Sequence, residues 1–112
     1  MSIPKNLHSL IEKLSEKTIQ KKINWIPTSR ETEYQCSFKE SAITTDAWTS
    51  TVGGKAVDFA VYNKDGGVIE RISFSENELE YQFLKDFHNL VQRSFYKTDE
   101  TFNSLFNELD NL

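Results

Sequence analysis

Asp65-Gly66 sits between two stretches of opposite-face alternation, and no other feature restricts the fold so strongly. Before it, Val57, Phe59 and Val61 alternate with Asp58, Ala60 and Tyr62. After it, Val68, Ile72 and Phe74 fall on one face of an extended segment and Ile69 and Arg71 on the other. An Asp-Gly pair tolerates the positive φ that a tight hairpin turn requires, so Asn63-Lys64-Asp65-Gly66-Gly67 joins two antiparallel strands. Two further segments precede this hairpin. Tyr34, Cys36 and Phe38 alternate with Gln35, Ser37 and Lys39, the period of a half-buried strand. Ser41 to Thr51 is rich in threonine and ends at Val52-Gly53-Gly54-Lys55, a turn sequence. Short connections between successive strands favour a four-stranded antiparallel meander.

Helical periodicity brackets the strands. Leu7, Leu10, Ile11 and Leu14 form one stripe of a helix over roughly residues 4–20, with Pro4 suited to its first turn. That helix ends before Pro27, because the residue preceding a proline is driven out of the α region. Ser75-Glu76-Asn77-Glu78 has the capping-box pattern and predicts a helix start. The expected buried stripe is Leu79, Phe83, Phe87, Leu90, Val91 and Phe95, running to about Tyr96. Lys97-Thr98-Asp99 interrupts it, and Thr98 is placed to cap a last helix with apolar stripe Phe102, Leu105, Phe106, Leu109 and Leu112. The expectation is one α+β domain over residues 1–112: an N-terminal helix, four strands and two C-terminal helices in two layers, the helices packed mainly on one sheet face.

Composition narrows the function classes. At 112 residues the chain has room for one core. Its apolar runs are far shorter than the roughly 20 residues that cross a bilayer, and residues 1–6 lack the apolar core of a secretory signal, so the expected setting is the cytoplasm. One cysteine, Cys36, and two histidines, His8 and His88, are too few for a structural zinc site, so neither metal nor cofactor is expected. The net charge of −4 argues against general DNA binding. It is unevenly spread. Residues 1–30 hold six Lys/Arg and two Asp/Glu, residues 31–75 four and seven, and residues 76–112 three and eight. Eight of the fourteen aromatic residues lie in residues 74–112, more than one small sheet needs. Together with the charge segregation, this points to self-association, most simply as a twofold dimer.

The layout resembles a set of small uncharacterised bacterial and phage proteins. Leu10-Ile11-Glu12-Lys13, then Lys22-Ile23-Asn24-Trp25 and Thr28, then Val61 to Ile69 across the Asp-Gly turn, carry the likeness. The shared outline is a short helix, a Lys-x-x-Trp-x-x-Thr lead-in to a β-meander, and a helical C-terminus. The resemblance implies the fold and a cytoplasmic setting, and no activity comes with it. Some such proteins occur in phage–host conflict, which brings toxin neutralisation and sequestration of a signalling nucleotide into view.

No catalytic constellation is visible in the sequence. His88 reads as a surface or boundary histidine, His8 is no better placed, and Cys36 reads as a core thiol without an activating base. Gly53-Gly54-Lys55 lacks the spacing of a phosphate loop. Asp46, Asp58, Asp65 and Glu70 show no spacing that argues for a metal or a carboxylate dyad. The two tryptophans leave two readings open: core packing, or an aromatic contact surface in which Trp25 and Trp48 are joined by Arg30, Lys55 and Arg71. The expected function is non-catalytic binding of a protein partner, of immunity or inhibitor type. The alternative is a small nucleotide held in an aromatic and arginine cleft, completed across a dimer.

Overall fold

The computed structural model describes residues 3–112. Helix α1 (Lys5–Ile19) leads into strands β1 (Ile26–Pro27), β2 (Glu33–Ser37), β3 (Ser41–Thr49), β4 (Lys55–Asn63) and β5 (Val68–Ser75), followed by helices α2 (Tyr81–Tyr96) and α3 (Thr98–Asp110). The sheet is wholly antiparallel in the order β1-β2-β3-β4-β5. The α+β class, the meander and the flanking helices agree with the sequence expectation, but the strands number five. The additional strand is two residues long and one of them is proline, which cannot donate to a ladder and is tolerated only at an edge. So short a segment has no alternation to read.

The hairpin at residues 63–67 forms as its chemistry requires. Gly66 adopts φ 87°, the Asn63 carboxamide oxygen accepts from the amides of Asp65 (3.0 Å) and Gly67 (2.9 Å), and the Asn63 amide donates to the Gly67 carbonyl at 2.9 Å. Beyond the turn the register shifts between Val61 and Tyr62, which exposes both Val68 and Ile69 on this edge strand. Val68 therefore leaves the buried face expected of it.

Alternation along the strands sends Tyr34, Cys36, Ile43, Thr45, Val57, Phe59, Ile72 and Phe74 to one face, where all are buried. Helices α1 and α2 cover that face. Leu7, Ile11 and Leu14 of α1 join Leu84, Phe87 and Val91 of α2 in a single core, and Phe59 and Trp25 each meet Phe87 edge-to-face at ring separations of 5.8 Å.

The start of α2 differs from expectation. Glu78 does accept hydrogen bonds from the Ser75 amide (2.9 Å) and hydroxyl (3.2 Å), and its own amide donates to the Ser75 carbonyl at 2.9 Å. But Ser75 is the last residue of β5, paired with Ala56, so the box closes a turn and the helix begins only at Tyr81. The buried stripe shifts in phase to Tyr81, Leu84, Phe87, His88 and Val91. Leu79 is 98% exposed, while Phe83, Leu90 and Phe95 are half-buried.

At the other end Lys97, with φ 52° and ψ 45°, breaks α2 from α3. Thr98 is already helical and makes no capping bond, contrary to its expected role. Helix α3 buries none of its residues. The radius of gyration, 15.7 Å, exceeds the roughly 13 Å of a compact chain of this length, as a helix standing off the core requires.

Candidate functional site: the uncovered face of the sheet

The second face of the sheet carries the residues that alternation sends away from the helices: Gln35, Thr44, Asp46, Trp48, Asp58, Ala60, Tyr62, Arg71 and Ser73. No helix lies on it, yet Asp46 and Asp58 are only 2% and 8% exposed. These carboxylates belong to directly opposed residues of the two central strands, where like charges repel unless each is neutralised. Arg30 meets Asp46 at 2.7 Å and Thr32 donates its hydroxyl to the same carboxylate at 2.5 Å. Arg71 donates to Asp58 at 2.8 Å and Ser73 at 3.1 Å. Each aspartate is thus buried beneath a face whose paired arginine, Arg30 or Arg71, stays about half exposed.

The same contacts hold the aromatic side chains. Arg30 stacks over Trp48, its guanidinium carbon 5.5 Å from the ring centroid, and the second arm of Arg71 donates to the Tyr62 hydroxyl at 3.0 Å. Thr44 adds a 3.3 Å bond to that hydroxyl. Arg30 is itself fixed by its loop. Thr28 accepts from the Arg30 amide (3.1 Å) and donates to the Glu33 carboxylate (2.7 Å), and the Glu33 amide returns to the Arg30 carbonyl at 3.1 Å. Beside this array, an open trough of about 600 Å³ runs past Ser29, Gln35, Thr44, Tyr62 and Lys64. Among the described residues no buried side-chain polar atom lacks a partner.

The five candidates therefore divide. Arg30, Trp48 and Arg71 share the uncovered face. Trp25 is core: it is 4% exposed, and its indole N–H donates to Thr18 at 3.0 Å. Lys55, at the first position of β4 opposite Thr49, has the alternation of the helix-covered face and points away from the other three. Asp46, Asp58 and Tyr62 complete the array, and sequence reasoning did not select them. A signal existed, since Asp46 and Asp58 are each six residues from Val52, and folding residues 41–63 about that turn brings them opposite one another.

The possible nucleophile and base lie on the covered side. Burial pushes the Cys36 thiol up to about 12. His88 is 3% exposed, more deeply buried than the surface or boundary position expected of it, and its Nδ1 lies 3.0 Å from the Thr45 hydroxyl. Burial, with help from the Lys85 cation and opposed by the Asp46 charge, lowers its pKa to about 4. His88 borders a cavity of about 300 Å³ with Tyr34, Lys85 and Tyr96. Among the described residues, no three His, Cys, Asp or Glu side chains group as metal ligands, and no helix is long and apolar enough to cross a membrane. Comparison with family models, with curated proteins and with solved structures finds no match to the chain.

Proposed function

We propose that the chain is a non-catalytic binding protein that acts on a protein partner, in the manner of immunity and inhibitor proteins, and that the uncovered sheet face makes the contact. The observation that carries this reading is the array of Arg30, Trp48, Tyr62 and Arg71, held in place by two buried aspartates on the one sheet face that no helix covers. Arginine, tryptophan and tyrosine dominate the energetics of protein interfaces. Side chains already ordered lose less entropy on binding. The face supports a small nucleotide less well, because Asp46 and Asp58 already neutralise both guanidinium groups and Trp25 and Lys55 lie elsewhere.

The test is affinity capture from the cells that make the protein, with the full chain and its Trp48→Ala variant as baits. One partner held by the first and lost by the second is expected, and equal recovery on both baits would remove the sheet face from the reading. Thermal shift against cyclic and linear nucleotides should be flat. A rise in melting temperature that disappears in Arg30→Ala or Arg71→Ala would instead assign the face to a nucleotide, since a ligand at 100 times its Kd stabilises by about 2.7 kcal/mol.

A further inference from the structure

Helix α3 presents a complete apolar stripe to solvent. Phe102, Leu105, Phe106 and Leu109 have the i, i+3, i+4, i+7 spacing that gathers side chains on one helix face, and each is about half or more exposed, as is Leu112 just beyond. Isolated helices of about 12–15 residues are marginal in water. With no buried residue of its own, α3 takes little stability from the core. Its exposed stripe amounts to on the order of 500 Å² per copy, a large part of the roughly 800 Å² that each partner contributes to a stable interface.

The charges around the stripe select its occupant. Helix α3 carries Asp99, Glu100, Glu108 and Asp110 and no basic residue. The first two are neutralised within the chain, Asp99 by Arg93 at 2.5 Å and Glu100 by Lys21. Glu108 and Asp110, at the far end, form no ion pair among the described residues, nor does Lys97 at the near end. Beside that near end lies a cavity of about 360 Å³ with Ile19, Ile23 and Leu90 in its wall and both the cations Lys21, Arg93 and Lys97 and the carboxylates of Asp99 and Glu100 around it.

We propose that the stripe is covered by a second copy of the chain, with the two α3 helices packed antiparallel about a twofold axis. Full overlap of two 13-residue helices sets the last turn of each beside the first turn of the other. Glu108 then lies on the same flank of the stripe as the partner's Lys97, Asp110 lies on the other flank beside the partner's Arg93–Asp99 pair, and the helix dipoles oppose favourably. A parallel pair would place Glu108 and Asp110 against their own copies, so the charges disfavour it. This inference does not depend on the sheet face, which stays free in such a dimer.

Light scattering of the full chain across the micromolar range, coupled to gel filtration, tests it. The expected particle has twice the 13.0 kDa chain mass. Phe106→Asp should weaken the dimer at least tenfold, with its thermal transition at low concentration unchanged because the side chain is exposed in the monomer. Lys97→Glu should also weaken it, and Lys97→Glu with Glu108→Lys should recover it, an outcome that unspecific apolar aggregation would not give. A 13.0 kDa particle at every concentration, a polydisperse assembly, or a dimer indifferent to Phe106→Asp would each overturn the proposal. Trp48→Ala should leave the mass unchanged, which separates this test from that of the sheet face.

Discussion

Arg30 is the residue on which the uncovered face most depends. Its guanidinium is half in water, but the carboxylate it neutralises is not: Asp46 is buried and has Thr32 as its other donor. Removing one member of such a pair costs chiefly through the group left behind. Arg30→Ala is therefore expected to destabilise the fold by about 1–3 kcal/mol in urea unfolding, and adding Asp46→Asn should recover part of that loss. If the double variant were less stable than the single one, the stranded-carboxylate account would fail. His88 gives a second residue-scale expectation, with its sign set by burial. The folded pKa of about 4 lies below the ordinary 6.5, so the native state favours the neutral ring. Below pH 6.5 the unfolded chain takes up a proton that the folded chain refuses until about pH 4. The stability present above pH 6.5 is thus lost as pH falls through this window, by up to about 3 kcal/mol from this one group. His88→Asn, which keeps a polar group near the Nδ1 position facing Thr45, should flatten the slope of stability against pH between 6.5 and 4. An unchanged slope would place the proton uptake elsewhere.

At the scale of elements, the phase of α2 makes a sharp contrast between two leucines five residues apart. Leu84 is 1% exposed and Leu79 lies in the turn before the helix. Leu84→Ala should cost about 2–5 kcal/mol as a core truncation, and Leu79→Ala should stay within about 0.5 kcal/mol. Comparable losses at both positions would restore the helix start to Ser75. Periodicity read along one element thus located α2 but not its phase, because the Ser75–Glu78 bonds that mark a helix start also serve a strand that ends in a turn. The α1 span, the two turns and the strand alternation were legible because they are local: each depends on φ preferences and side-chain period within a few residues. Strand β1 was not legible, since its two residues are held only by pairing with β2. The site was half legible for the same reason. Arg30, Trp48 and Arg71 are conspicuous residue types, whereas Asp46 and Asp58 gain their meaning from cross-strand register, and Trp25 was assigned to the core only once α1 supplied Thr18 as a partner for its indole.

The whole molecule divides into a body and an arm. Residues 3–96 contain every buried residue of the described chain, whereas α3 is tied to the body by exposed ion pairs, Lys21–Glu100 and Arg93–Asp99. Such pairs are worth about 0–1 kcal/mol each, and the left-handed conformation at Lys97 adds a strain of about 1 kcal/mol to the junction. The arm therefore adds little to the stability of an isolated chain. A chain that ends at Lys97 is expected to unfold in urea within about 1 kcal/mol of the 112-residue chain, provided both are compared at concentrations low enough for the longer chain to be monomeric. Its m-value should fall only slightly, because the slope follows the surface that unfolding exposes and α3 is already in water. A loss of several kcal/mol, or failure of the shortened chain to fold, would mean that α3 packs on the body in solution. Near-native stability at low concentration, with a midpoint that rises with concentration only for the full chain, would assign the arm to association.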